Sequence, residues 1–154
     1  MPDAKTLLSR SPLFEGASEA IIASFMQRAE AIRFAAGEIP VAEATVTDRI
    51  VMIVEGSVRL EVALQSPGED LKIMQAGPGT FLGLVSFFGA AAQPCTATAL
   101  SEVKALAWKA EDWRSLCEAD PVFGCRFSQR IGRELVERMS NWIDHLLNTV
   151  SWGV

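Results

Sequence analysis

Residues 33–108 constrain the fold of this chain most, because their apolar side chains follow the spacing of short β-strands and not that of helices. Residues 50–54 form a continuous apolar run rich in β-branched side chains, which predicts a buried strand. In the next run, Val58, Leu60, Val62 and Leu64 alternate with Ser57, Arg59, Glu61 and Ala63. This period of two predicts a strand with one buried face.

Residues 95–108 supply two further strand-like pieces. Their expected inward faces carry Cys95, Ala97 and Ala99 in the first piece and Val103, Ala105 and Ala107 in the second. Gly56 ends an earlier strand, and the Ser-Pro-Gly-Glu-Asp sequence of residues 66–70 predicts the turn of a hairpin. About eight short strands separated by such turns predict a sandwich, a roll or a barrel.

Helical periods flank the strand region. Residues 4–9 are a short helical candidate, and Ser18 suits the N-cap of a second helix. The apolar side of that helix carries Ile21, Ile22, Phe25, Met26 and Ala29. A third helix is expected to end before Pro121, and Asp120 and Pro121 suit the start of a long last helix. The sequence therefore predicts an α+β fold, mainly β, with helices at both ends.

Composition narrows the classes of function. The formal charge of −5 and the pI near 4.9 give no net attraction to phosphate backbones, so we expect no direct nucleic-acid binding. The longest apolar stretch, residues 81–92, is interrupted by glycine and serine and is shorter than the about 20 residues that span a bilayer. The N-terminus lacks a signal-peptide core, which favours a cytoplasmic location.

The reactive side chains do not assemble a catalytic or metal motif. Cys95, Cys117 and Cys125 form no Cys-x-x-Cys pair, and His145 is the only histidine, so we assign no metal site and expect reduced thiols. The sequence contains neither a Gly-x-Ser-x-Gly elbow nor a Walker lysine motif. We therefore expect a protein that is not an enzyme, and name no catalytic residue.

Residues 77–99, which we call the cassette, resemble the phosphate-binding cassette of cyclic-nucleotide-binding domains of the catabolite activator protein and protein kinase A regulatory subunit type. The resemblance rests on the order and spacing of Gly79, Gly83, the apolar residues 85–88, Gly89, Cys95, Thr96 and Ala99. Upstream, residues 36–39 and 55–58 are similar to turn and core segments of that family. The resemblance implies a β-roll of the double-stranded β-helix or jelly-roll type over residues 1–120, followed by a long helix over residues 121–154.

Two positions depart from the family pattern. Where the family has a glutamate for the ribose hydroxyl this chain has Leu84, and where it has an arginine for the cyclic phosphate it has Gln93. Losing a charge-assisted contact costs on the order of 1.5 to 3 kcal/mol, or about ten- to a hundredfold in affinity. Pro94 also removes a backbone N–H donor. We assign no cofactor with certainty, and binding of an ordinary cyclic nucleotide is disfavoured.

The candidate ligand-binding residues are those of the diverged cassette: Gly83, Leu84, Val85, Ser86, Gln93, Pro94, Cys95 and Thr96. Two interpretations of the apolar side chains stay open. Leu84, Phe87 and Phe88 either line a pocket for another small ligand or collapse into the nucleotide space. Cys95 is expected to be a packing residue, with a redox or haem-linked role as the alternative.

The last helix carries a heptad-like stripe of Leu135, Met139, Trp142 and Leu146, which predicts a dimerisation helix. A second stripe contains Ile131, Ile143, Leu147 and Val150. The alternative is a helix folded wholly onto its own roll.

The sequence and this resemblance therefore predict a dimeric regulatory or sensor domain with a degenerate nucleotide site, lacking its own DNA-binding domain. The alternatives are a ligand-independent scaffold that binds a partner protein, or a domain that binds a cyclic nucleotide or another small ligand such as haem in a non-standard way.

Overall fold

The computed structural model describes residues 3–63, 70–89 and 91–149. The helices are α1 (Ala4–Arg10), α2 (Glu19–Arg28), α3 (Ala110–Ala119) and α4 (Pro121–Thr149), with 3-10 helices at Pro12–Phe14 and Leu84–Phe88. The strands are β1 (Glu30–Phe34), β2 (Arg49–Glu55), β3 (Val58–Ala63), β4 (Asp70–Ala76), β5 (Phe81–Leu82), β6 (Thr96–Ala99) and β7 (Val103–Lys109). This order confirms the α+β, mainly β, prediction, with seven strands in the described residues.

The strands form two antiparallel sheets, one in the order β1-β7-β2-β5 and one in the order β4-β3-β6. Apolar residues of both sheets share one core, which we call the roll core. It contains Val41, Val51, Ile53, Val58, Leu60, Ala76, Leu82, Cys95, Ala97, Ala99, Val103, Ala105 and Ala107. The predicted inward faces of residues 95–99 and 103–107 are confirmed, and the two sheets close the expected β-roll.

A second core lies between the four-stranded sheet and the helices, and we call it the helical cluster. It contains Leu8, Leu13, Phe14, Ile22, Phe25, Ile50, Met52, Phe81, Leu84, Phe87, Trp108, Ala110, Trp113, Phe123, Phe127 and Ile131. Its rings meet mostly edge to face, as Phe14 and Phe25 do at 4.9 Å between centroids. The buried indole N–H of Trp108 donates to the Phe25 carbonyl oxygen at 2.7 Å, which ties β7 to the end of α2.

Strand β2 is buried on both faces. Ile50 and Met52 belong to the helical cluster, whereas Val51 and Ile53 belong to the roll core. Successive side chains of a strand point to opposite sides, so a continuous apolar run is what a strand between two cores requires. The prediction of a buried strand at residues 50–54 is confirmed.

The predicted helix starts are confirmed by their caps. Ser18 Oγ accepts a hydrogen bond from the Ile21 N–H at 3.2 Å, and Asp120 Oδ1 accepts one from the Phe123 N–H at 3.1 Å. Helix α3 ends at Ala119, before Pro121, as expected. Each side-chain oxygen satisfies an N–H group that has no partner inside its own helix.

The predicted alternation of β3 is confirmed for its described residues, because Val58 and Leu60 are buried in the roll core and Val62 packs against that core. The pairing of β3 with β4 nevertheless shifts between Leu60 and Glu61. Glu61, expected outside, is buried and accepts hydrogen bonds from Arg59 and from Thr98 Oγ1. The extra residue of this bulge lies in β4, so the period of two in β3 is kept, and the burial of Glu61 is a feature of its other face. Leu64, most of the hairpin turn predicted at 66–70, and Val150 lie outside the described residues.

Candidate functional site

The cassette begins at Gly83, where the chain turns from β5 into the 3-10 helix. Gly83 has φ 78° and ψ 18°, a left-handed conformation that glycine adopts at no steric cost. A Cβ at this position would lie 2.5 Å from the Arg49 carbonyl oxygen. Glycine is therefore required here both by its backbone angles and by the close approach of β2.

Ser86 and Gln93 hold the two ends of the cassette together. The Ser86 hydroxyl donates to the Thr47 carbonyl oxygen at 2.8 Å and accepts from Gln93 Nε2 at 3.2 Å. The Gln93 main chain donates to Thr45 and accepts from Ala44, each at 2.9 Å. Both side chains are almost fully buried. At the position where the resemblance predicts an arginine, this chain thus has a neutral amide held inside the protein.

Three apolar side chains of the cassette, Leu84, Phe87 and Phe88, lie in different surroundings. Leu84 is 1% exposed and packs in the helical cluster, as does Phe87, whereas Phe88 is 58% exposed. Of these three, Leu84 also lines the pocket described next. Phe87 and Phe88 do not line that pocket, because Phe87 packs in the helical cluster and Phe88 faces solvent. The alternative, collapse of these side chains into the nucleotide space, stays a prediction.

A pocket of about 240 Å³ lies between the cassette and α4. Residues from those two segments form its wall: Gly83, Leu84, Val85, Gln93 and Pro94 from the cassette, and Leu135, Arg138, Met139 and Trp142 from α4. Five of the eight predicted ligand-binding residues are therefore brought together around one space. The other three, Ser86, Cys95 and Thr96, lie elsewhere: Ser86 supports Gln93 from behind, Cys95 is in the roll core, and Thr96 Oγ1 accepts from the Glu43 N–H.

Burial raises the pKa of the Cys95 thiol to about 11, although the positive charge of Arg138 opposes that rise. The thiol is therefore protonated at neutral pH, and a protonated thiol is a poor nucleophile and a poor metal ligand. Burial raises the pKa of Cys117 to about 11 as well, whereas Cys125 is exposed. The structure places Cys95 as a core residue, in agreement with the packing interpretation.

Arg138 is a pocket residue that the sequence analysis missed. Its Nη1 donates to the Phe81 carbonyl oxygen at 2.8 Å, and its Nε donates to Glu134 Oε1 at 3.0 Å. The side chain is only 19% exposed. A signal was present in the sequence, since this charged residue stands three positions after Leu135 and four before Trp142, inside the apolar stripe.

Arg114 on α3 was also missed. Its Nη1 donates to the carbonyl oxygens of Ser86 and Phe87 at 2.9 and 3.2 Å. These carbonyls belong to the 3-10 helix of the cassette, so the arginine satisfies acceptors near the C-terminal end of that helix. Arg114 thereby fixes the cassette to α3.

The predicted dimerisation stripe on α4 divides between two faces. Leu135 packs against the helical cluster and Trp142 against the roll core, whereas Met139 is 53% and Leu146 37% exposed. The exposed apolar face is instead formed by Val136, Met139, Ile143, Leu146 and Leu147. The assignment of Leu135 and Trp142 to an outward face is therefore corrected, because both cover the chain's own cores.

Among residues 3–63, 70–89 and 91–149, no group of three or more His, Cys, Asp or Glu side chains is arranged to hold a metal ion. None of the helices described is both long enough and apolar enough to cross a membrane.

Comparison with known proteins agrees with the fold. Residues 31–120, more than half of the chain, match the family model described as the cyclic nucleotide-binding domain. A curated relative, the CRP-like cAMP-activated global transcriptional regulator of Mycobacterium tuberculosis, is 24% identical over 144 residues. That match covers 94% of this chain but only 64% of the relative, so the chain spans less than two thirds of its length.

Solved structures show the same architecture. The N-terminal domain of a transcriptional regulator from Streptomyces coelicolor superposes with a TM-score of 0.73 at 27% identity, covering 87% of this chain and 93% of that one. The Thermus thermophilus catabolite activator protein has a TM-score of 0.73 at 21% identity, covering 90% of this chain and 63% of that one. At that identity, the second likeness shows the fold alone.

Proposed function

This chain belongs to the cyclic nucleotide-binding domain family, and on that premise we propose that it is a regulatory or sensor domain whose nucleotide site is degenerate. The proposal is carried by one observation, the neutral and buried Gln93 where the family places an arginine. An amide offers no charge to a cyclic phosphate, and this amide already donates to Ser86. Leu84, at the position of the family's glutamate, offers no acceptor for a ribose hydroxyl.

The energetic consequence is a weak site for cyclic AMP and cyclic GMP. Removing a charge-assisted hydrogen bond costs about 1.5 to 3 kcal/mol, which corresponds to about ten- to a hundredfold in the dissociation constant. Loss of the sugar contact weakens the site further. The backbone turn at Gly83 is retained, so restoring the arginine is expected to recover part of the lost affinity.

Calorimetric titration of the chain with cyclic AMP and cyclic GMP tests the proposal. We expect no saturable binding at micromolar concentration for the unmodified chain and about ten- to a hundredfold tighter binding for Gln93→Arg. Gln93→Glu is the matched control, since it keeps the size of the side chain and carries the wrong charge; it should gain nothing. Stoichiometric micromolar binding by the unmodified chain would refute the degenerate site.

We also propose a homodimer formed through the exposed face of α4. Val136, Met139, Ile143 and Leu146 follow steps of three, four and three residues, which is the spacing of a coiled-coil seam. The same face supports the alternative function, a ligand-independent scaffold that binds a partner protein. A cytoplasmic location and the lack of catalysis stay predictions from the sequence.

A further inference from the structure

We propose that the pocket between the cassette and α4 binds a small carboxylate with an apolar body, and that Arg138 on α4 binds its charged end. The inference rests on the proposed function, because it describes what a site without the family's cassette arginine recognises. The positive charge that binds the ligand would then come from Arg138 of α4 and not from the cassette.

Arg138 lines the same pocket as Gln93 and Pro94. Its guanidinium donates to the Phe81 carbonyl oxygen and to Glu134, so it lies where this pocket adjoins the next cavity. Its two described hydrogen bonds use Nη1 and Nε, two positions on a guanidinium that carries five N–H donors. The charge of Arg138 is also felt at Cys95, next to Pro94 in the cassette.

The remaining wall selects the body of the ligand. Leu84, Val85, Pro94, Leu135 and Met139 are apolar. The volume of about 240 Å³ is below the about 300 to 1,000 Å³ of typical drug-sized sites, so the ligand is small. Trp142 also lines the pocket, and its ring adds apolar surface to the wall.

Glu134 occupies Arg138 in this structure and is replaceable. Its side chain is 35% exposed, and its ion pair with Arg138 is an i,i+4 pair within α4. The partly exposed glutamate can turn to solvent, so a ligand carboxylate held inside the pocket can displace it. An adjoining cavity of about 310 Å³ shares Arg138 but is lined by Glu134 and Glu137, whose charges repel an anion. The carboxylate therefore belongs in the cassette pocket.

Benzoate, benzyl alcohol and acetate are suitable probes for thermal shift and calorimetry on the full chain. Benzoate carries both the charge and the apolar body, and each of the other two lacks one of them. We expect saturable stabilisation by benzoate, reaching about 5 to 10 °C near one hundred times its dissociation constant. Benzyl alcohol and acetate should bind at least about tenfold more weakly, because each forgoes the ion pair or the apolar burial.

Three variants assign the effect to Arg138. Arg138→Gln should weaken benzoate at least about tenfold, whereas Arg133→Gln, on the exposed side of the same helix, should leave it unchanged. Glu134→Gln removes the competing carboxylate and should tighten benzoate binding, a gain that loss of folding cannot imitate.

The inference is overturned if benzoate does not bind, if benzyl alcohol binds as well, if Arg138→Gln leaves affinity unchanged, or if Glu134→Gln fails to raise it. Its failure is distinguishable from failure of the proposed function. Micromolar cyclic AMP binding would refute the degenerate site, whereas absence of benzoate binding would leave the degenerate site standing and remove this ligand class.

Discussion

Replacing Gly83 by alanine tests how closely β2 approaches the start of the cassette. Alanine at φ 78° costs about 1 to 2 kcal/mol, because its Cβ crowds the following carbonyl in the left-handed region. In addition, the new Cβ would lie 2.5 Å from the Arg49 carbonyl oxygen, and relieving such overlap in a well-packed region costs about 1 to 3 kcal/mol. Gly83→Ala is therefore expected to lose about 2 to 5 kcal/mol of unfolding free energy.

Gly16 supplies a matched control, since its φ is 77° but nothing lies within 4 Å of a Cβ built there. Gly16→Ala should lose only the backbone part, about 1 to 2 kcal/mol. In a domain of this size 1 kcal/mol corresponds to about 2 to 4 °C in melting temperature. The difference between the two variants then isolates the contact of the cassette with β2.

Thermal and urea unfolding followed by circular dichroism measure that difference. We expect Gly83→Ala to melt well below Gly16→Ala, and the urea midpoint to fall without a change in the m-value. Equal losses in the two variants would refute the close approach of Arg49. In that case the glycine would serve only the turn.

Three further predictions concern other parts of the molecule. Ile143→Asp, on the exposed face of α4, should convert a dimer into a monomer in sedimentation velocity; a persisting dimer would assign self-association to another surface. Because burial raises the pKa of Cys95 to about 11, iodoacetamide at pH 8 should alkylate exposed Cys125 much faster, and mass spectrometry showing equal rates would contradict this. Phe127→Ala should cost about 3 to 5 kcal/mol in urea unfolding because Phe127 is fully buried, against less than about 0.5 kcal/mol for exposed Phe88→Ala; similar losses would contradict the packing described.

The parts of the fold that were predictable are those determined by residues close to each other in the sequence. Ser18 and Asp120 mark helix starts through caps that involve only a residue three positions away, and Pro121 follows the end of α3. The inward face of β7 was predictable because its period of two is unbroken. The burial of Glu61 was not, since Glu61 is held by Thr98 of β6, 37 positions further along the chain.

The candidate site was only half predictable. The glycine turn and the buried cassette residues follow from the resemblance, but the contribution of α4 does not. Both apolar stripes of α4 are compatible with the helical period, and which one faces inward depends on where the roll and helices lie. The sequence pattern placed Trp142 on a dimerisation face and gave Arg138 no role, yet both side chains line the pocket.

Because β2 is buried on both faces, it separates the roll core from the helical cluster and contributes side chains to each of them. Protein interiors are close-packed, so a change of volume against Val51 or Ile53 is transmitted through the backbone to the neighbours of Ile50 and Met52. The changes in unfolding free energy caused by substitutions on the two faces of β2 are therefore expected not to be additive. A change of volume inside the roll core is therefore expected to shift the packing of the aromatic rings in the helical cluster, without a hinge motion between the two cores.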